Sequence, residues 1–378
     1  MTEYSEVRVA QFYDGEQWHS NVEVQLKQGR IARIEPCEAK IVQAGILVPG
    51  FIDVQVNGGG GVLFNTEPCL ASLQRIFKAH SQFGTTTMLP TVITDNITTM
   101  QQAANAVAEA IVLGVPGILG IHFEGPHLSV PKRGVHPSKY IRPLSTAELA
   151  IYKRQDLGIR MVTLAPETIP PEQIRQLVDA GVIVFLGHSN ADAVTVQAAL
   201  AAGATGFTHL FNAMSPLTSR EPGMVGVALA DRHSWCGIIL DGYHVDPLTA
   251  KVAVAAKHKG KLLLVTDAMS PVGTRETEFA LFDGKVIRQG NKLTNEIGSL
   301  AGSMLDMAGA VRYAVQNLNI DLAEALRMAS RYPAEAIGCF AERGKLQPGY
   351  WADMVLLDDQ LNCRQSWCQG QLVFACSV

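Results

Sequence analysis

The chain is poor in the features that mark several large protein classes. It has no run of basic residues and carries a net charge of −4, which argues against general nucleic-acid binding. No uninterrupted apolar stretch approaches the ~18 residues of a membrane span. The seven cysteines are odd in number and include no CxxC pair, so neither a disulfide framework nor a zinc knuckle is expected. The start, Met1-Thr2-Glu3-Tyr4-Ser5-Glu6, lacks the basic-then-apolar order of a signal peptide. Gly58-Gly59-Gly60-Gly61 belongs to neither GxGxxG nor GxxxxGK, so it reads as a loop or tight turn and not as a phosphate cradle. A soluble, reduced, cytoplasmic protein is expected. An anionic substrate is still compatible, because a site needs only local positive charge.

What is present suits a large buried core: 378 residues, 47% hydrophobic and 17% charged. Eight apolar runs bounded by turn residues, at 51–56, 85–91, 118–123, 160–165, 182–187, 206–210, 236–241 and 262–267, read as buried parallel strands. Helical stretches at 70–82, 99–112, 171–180, 191–202 and 246–259 alternate with them, as in right-handed βαβ units. The expected fold class is α/β, a (β/α)8 TIM-type barrel over 49–344. Short strands and turns at both ends predict a small β-sandwich domain formed by 1–48 and 345–378. Two stretches break the rhythm. Residues 211–234, with Pro216, Arg220 and Pro222, read as a long loop; 268–300 reads as an inserted hairpin turning at Asp283-Gly284. Long loops inside a compact domain are usually functional.

Five strands each run into one side chain suited to metal or proton chemistry: Glu124, His188, His209, His244 and Asp267. In a parallel barrel the C-terminal strand ends carry the chemistry. Glu124, His188 and His209 supply two imidazoles and a carboxylate, the three-ligand pattern of a catalytic zinc with one open position. One such histidine alone would read as a satisfied polar group; three successive strand ends favour a metal. Asp267 is placed to move a proton to and from water, against a plainer role as a helix cap. His244 either orients substrate or supports a neighbour. His136, in the loop after Glu124, either polarises a substrate carbonyl or lies on the surface. His122 reads as a core or supporting group, and His19, His80, His233 and His258 as surface residues. The backbone of Ser299-Leu300-Ala301-Gly302-Ser303 either meets a polar ligand or caps the helix that follows.

Taken in order, several segments resemble the amidohydrolase superfamily and, within it, the N-acetylglucosamine-6-phosphate deacetylases. They are Val48-Pro49-Gly50-Phe51-Ile52-Asp53-Val54-Gln55-Val56-Asn57-Gly58, His122-Phe123-Glu124-Gly125-Pro126, Gly187-His188-Ser189-Asn190-Ala191 and Thr208-His209-Leu210-Phe211-Asn212-Ala213-Met214. Arg220-Glu221-Pro222-Gly223, Asp241-Gly242-Tyr243-His244-Val245-Asp246 and Val265-Thr266-Asp267-Ala268 continue the match.

The resemblance implies hydrolysis of the acetamide of a phosphorylated amino sugar, in amino-sugar catabolism. It places one divalent metal, zinc first among the candidates, on Glu124, His188 and His209, and the general base and acid on Asp267. His136 and His244 fall on substrate-contacting histidines, with His136 also helping catalysis. Gln55, Asn212, Ala213, Leu300, Ala301 and Gly302 fall on further substrate contacts. Arg220 matches an arginine that reaches the sugar phosphate of a neighbouring subunit, which implies a homodimer. Many superfamily members carry His-x-His after the first strand and bind two metals. Here Gln55 and Asn57 stand in those places, so one metal is expected. The rival readings are the N-acetylgalactosamine epimer, a cyclic amide hydrolase, and a sugar-phosphate sensor without activity.

Overall fold

The computed structural model describes residues 5–38, 43–282 and 284–376. Its centre is a ring of parallel strands: β1 (Phe51–Val56), β2 (Thr85–Ile93), β3 (Gly120–Glu124), β4 (Ile159–Leu164), β5 (Ile183–Leu186), β6 (Gly206–Phe207), β7 (Trp235–Ile238) and β8 (Leu262–Leu264). They are hydrogen-bonded in sequence order. The ring closes just beyond β8, where the Asp267 N–H donates to the Gln55 carbonyl at 3.0 Å and Val56 pairs with Ala268. The runs are apolar because both faces are covered, the inner by the barrel core and the outer by helices.

A helix follows every strand. The five expected ones span Leu70–Ser81, Ile97–Val112, Pro171–Asp179, Ala193–Ala201 and Pro247–Ala256. Asn96, Asp192 and Asp246 cap three of them with side-chain oxygens, which satisfies N–H groups the helix itself cannot. Three more, Thr146–Tyr152, Gly223–Ala230 and Met307–Leu318, complete the eight units. The second of these corrects the long loop expected over 211–234. Met224, Val225, Val227, Ala228 and Leu229 are all buried, so no polar stripe betrays the helical period.

The insert after β8 is a three-stranded sheet, Glu278–Leu281, Gly284–Gln289 and Lys292–Asn295, and not the two-stranded hairpin expected. Asp283, half of the expected turn, lies outside the described residues. Leu281, Val286 and Leu293 bury against Ile93 and Met269, which seats the insert beside the barrel mouth. The chain ends meet as expected in a small β domain. Its seven strands run in one order from Gln371–Ala375 through Gln43–Pro49 to Arg30–Pro36, around Val9, Phe12, Val24, Leu47, Met354 and Trp367. Among the described residues no helix is long and apolar enough to cross a membrane.

Candidate metal centre and active site

Glu124 ends β3, and His188 and His209 follow β5 and β6 by two residues each. All three are buried. Glu124 Oε1 lies 3.2 Å from His188 Nε2 and 3.0 Å from His209 Nε2, and the two nitrogens are 3.0 Å apart. Ligands ~2.1 Å from a tetrahedral cation stand about 3.4 Å from one another, so the trio fits a small divalent ion closely. Without one, two ring nitrogens would face each other and a shared carboxylate oxygen. His188 Nδ1 meets the Lys132 carbonyl at 2.8 Å, which directs the Nε2 lone pair inward. Burial alone would raise the Glu124 pKa, but its contacts with both histidines hold it well below the usual carboxylate range. Burial would lower His209, and its contact with Glu124 outweighs that and raises it.

His188, His209 and Asp267 all have positive φ, at 48°, 34° and 53°. Left-handed backbone is costly for residues with a Cβ and gathers at functional sites. Here it turns each side chain from the end of its strand into the mouth. Asp267 Oδ1 accepts hydrogen bonds from Asn57 Nδ2 at 2.6 Å and Gln55 Nε2 at 3.2 Å. Burial and the Glu124 charge raise its pKa above the ordinary value. Gln55 Nε2 also donates to Glu124 Oε1 at 3.0 Å. The two amides where other superfamily members place His-x-His therefore tie the carboxylates together with N–H groups.

His136 is buried, not on the surface. Its Nδ1 meets the Thr94 Oγ1 at 2.8 Å and the Thr94 N–H at 3.3 Å, which fixes the orientation of the ring. Burial and the nearby His188 hold its pKa well below the ordinary value, so the ring stays neutral. His244 Nδ1 pairs with Asp241 Oδ2 at 2.7 Å.

A cavity of about 210 Å³ brings together Glu124, His136, His188, His209, Asn212, Ala213, His244, Asp267, Leu300 and Gly302. Ala301 faces away, in the core with Ile93 and Met269, and Gln55 sits behind the two carboxylates. Gly302 has φ +62°, and a Cβ there would meet Met269 Sδ at 2.6 Å. The 300–303 segment caps no helix: Ser303 pairs with Ala268, and Asp306 caps Met307–Leu318. Arg220 is exposed and outside the cavity.

Sequence reasoning missed Asn57 as an Asp267 partner, along with Ile239 and Met269 in the cavity wall. It also misplaced His80, which is fully buried with Nε2 on the Gly58 carbonyl at 2.8 Å. His122 supports from below, bridging the Val54 carbonyl and Thr163 Oγ1 at 3.0 and 2.8 Å.

Residues 46–373 match the amidohydrolase family, and the chain belongs to that family. It is 58% identical over 331 residues to an N-acetylgalactosamine-6-phosphate deacetylase of Shewanella sp. (strain ANA-3), covering 88% of this chain and 84% of that protein. It is 38% identical to the N-acetylglucosamine-6-phosphate deacetylase of Bos taurus over 87% of this chain and 83% of that one. Among solved structures, N-acetylglucosamine-6-phosphate deacetylase from Pasteurella multocida superposes with a TM-score of 0.94 at 34% identity, covering 98% of this chain and 99% of that one.

Proposed function

We propose that this chain removes the acetyl group of an N-acetylated amino-sugar 6-phosphate, giving acetate and the free amine. The observation that carries this reading is Glu124, His188 and His209 converging within 3.2 Å beside Asp267, in a chain 58% identical to a deacetylase of that class. One divalent cation on Glu124, His188 and His209, with zinc the first choice, would supply a Lewis acid that lets water ionise near neutral pH. Asp267 takes a proton from the attacking water and returns it to the leaving nitrogen. His136 donates its Nε2–H to the acetamide oxygen. His244, Asn212, Ala213, Leu300 and Gly302 face the sugar.

Of the two epimers, the 58% relative favours galactosamine, which reverses the order suggested by motif resemblance. The glucosamine reading rests on relatives such as that at 38% identity and on the solved structure at TM-score 0.94.

The phosphate would be held by Arg220 of a second copy, since its own Arg220 stands outside the cavity. A bidentate guanidinium suits that group. Val194 and Leu248, in the first turns of two helices and exposed at 73% and 74%, and Leu217 in a loop at 55%, are apolar side chains that a homodimer interface would cover.

Acetate release should be measured with both epimers, phosphorylated and not, before and after chelation and zinc restoration. Chelator-sensitive turnover confined to the phosphorylated sugars is expected, with kcat/KM deciding the epimer. No release from either phosphorylated epimer after zinc is restored would end the deacetylase reading. A monomer under assay conditions with full activity would end the composite-site reading.

A further inference from the structure

Glu167 follows β4 by three residues, is exposed, and stands outside the cavity. Both of its carboxylate oxygens are nevertheless committed to a single loop. Oε2 accepts from Ser189 Oγ and Oε1 from the Asn190 N–H, each at 2.6 Å. Hydrogen bonds to a carboxylate are shorter and roughly twice as strong as neutral ones. Ser189 is fully buried, and its Oγ also accepts the Ala191 N–H at 3.0 Å. The residue just before this pair is His188, with its left-handed φ of 48°. Such backbone persists only where the surroundings over-determine it. Here the His188 carbonyl accepts the Ser129 N–H at 2.9 Å, the Ser189 N–H donates to the Ala213 carbonyl at 3.0 Å, and Glu167 holds the next two groups. The turn that carries Glu167 is itself fixed. The Ala165 N–H donates to the His127 carbonyl at 2.8 Å and the Thr168 N–H to the Ala165 carbonyl at 3.0 Å. The far end of the loop is fastened separately: Ser215 Oγ donates to the Ala191 carbonyl at 2.6 Å, and the Ala193 N–H to Glu221 Oε1 at 2.9 Å. Removing Glu167 would therefore free the 189–190 end, next to His188, and leave the rest held.

We propose that Glu167 is a positioning residue for the metal centre. By holding Ser189 and Asn190 with both oxygens, it keeps His188 in the backbone from which Nε2 stands 3.2 Å from Glu124 Oε1 and 3.0 Å from His209 Nε2. This rests on the metal reading above, in which His188 Nε2 is a ligand. The Lys132 carbonyl on Nδ1 sets how the ring is turned; Glu167 sets where the ring starts. Partners that orient a metal ligand are typically worth 10–100-fold in metal affinity. An effect passed through the backbone belongs at the lower end of that range.

The test measures the zinc affinity of the full chain by chelator competition, and its visible absorption spectrum with cobalt(II) in place of zinc, which reads ligand geometry. Glu167→Ala should weaken zinc binding about tenfold and alter the cobalt bands. Glu167→Gln keeps an acceptor for the Asn190 N–H and an amide group for Ser189 Oγ, so it should restore most of the affinity. Ser189→Ala removes one of the two links and should fall between them. Unchanged zinc affinity and cobalt spectrum in Glu167→Ala, even with a lower melting temperature, would overturn the proposal and leave Glu167 a plain loop brace. Equal losses in Glu167→Ala and Glu167→Gln would overturn it too, because charge and not the paired hydrogen bonds would then carry the effect. An unsubstituted chain that binds neither zinc nor cobalt would instead remove the metal reading itself.

Discussion

Two of the places where charge is buried in this molecule are finished differently. Where the terminal sheet joins the barrel, Arg343 and Asp353 form a buried ion pair. Asp353 Oδ1 also accepts the Gln369 N–H at 2.7 Å, its carbonyl takes the Gly50 N–H at 2.8 Å, and Arg343 stacks over Trp351. Every group there is answered by another. At the barrel mouth, Glu124, His188, His209 and Asp267 crowd together, yet Asn57 Oδ1 and His209 Nδ1 have no partner among the described residues. Three of these residues also hold left-handed backbone. A polar cluster that completes itself fastens the fold. One left incomplete, at a cost in strain, is completed by what it binds.

The contrast can be broken most sharply at Asp267. Asp267→Asn should lower kcat by about 10³–10⁴-fold while substrate and metal still bind, because only the proton carrier is gone. Near-normal turnover would put the proton elsewhere. The junction should respond in the opposite currency. Arg343→Met leaves Asp353 buried without its partner and should cost roughly 3–5 kcal/mol of stability, with kcat per folded molecule unchanged; equal denaturation midpoints would mean the pair contributes little. Arg220→Ala should raise KM for the phosphorylated sugar about tenfold with little change in kcat, and an unmoved KM would free the phosphate from that residue.

A pH-dependent effect is expected at Asp53, which lies under the mouth but resembles the junction in being satisfied: Thr266 Oγ1 and the Gln55 N–H both donate to it. Burial raises its pKa to about 7. Between about pH 4 and that value the folded chain keeps a proton that the unfolded chain has lost. Stability from this group therefore falls as pH rises through the window and levels off above it. Asp53→Asn should flatten that slope in urea midpoints measured across the window. An unchanged slope would show Asp53 to be ionised throughout.

The legible parts of the molecule were those written as strong local pattern. Eight apolar runs between turn residues located every strand of the barrel, and polar residues at their ends located the candidate donors now found within 3.2 Å of each other. The helix Gly223–Ala230 was hidden because it is apolar all round and begins at proline and glycine. The third strand of the insert, Lys292–Asn295, is four residues long and too short to carry a period. His80 looked like a surface residue because its burial depends on the Gly58 carbonyl, 22 positions away. Asn57 was read as a poor metal ligand, which its chemistry supports; its bond to Asp267 spans 210 positions and leaves no local trace.

That span has a consequence for how the protein comes into being. The seam that closes the barrel, the Asp267 N–H on the Gln55 carbonyl, is made by the same two segments that bring the two amides to Asp267. A growing chain that has passed β7 owns all three candidate metal donors, yet its first strand still has an open edge. Asp267, the proposed proton carrier, meets Gln55 and Asn57 only when the last strand docks on the first. Function should therefore appear in one step at the end of assembly, and amide protons along this seam should exchange only when the ring opens as a whole.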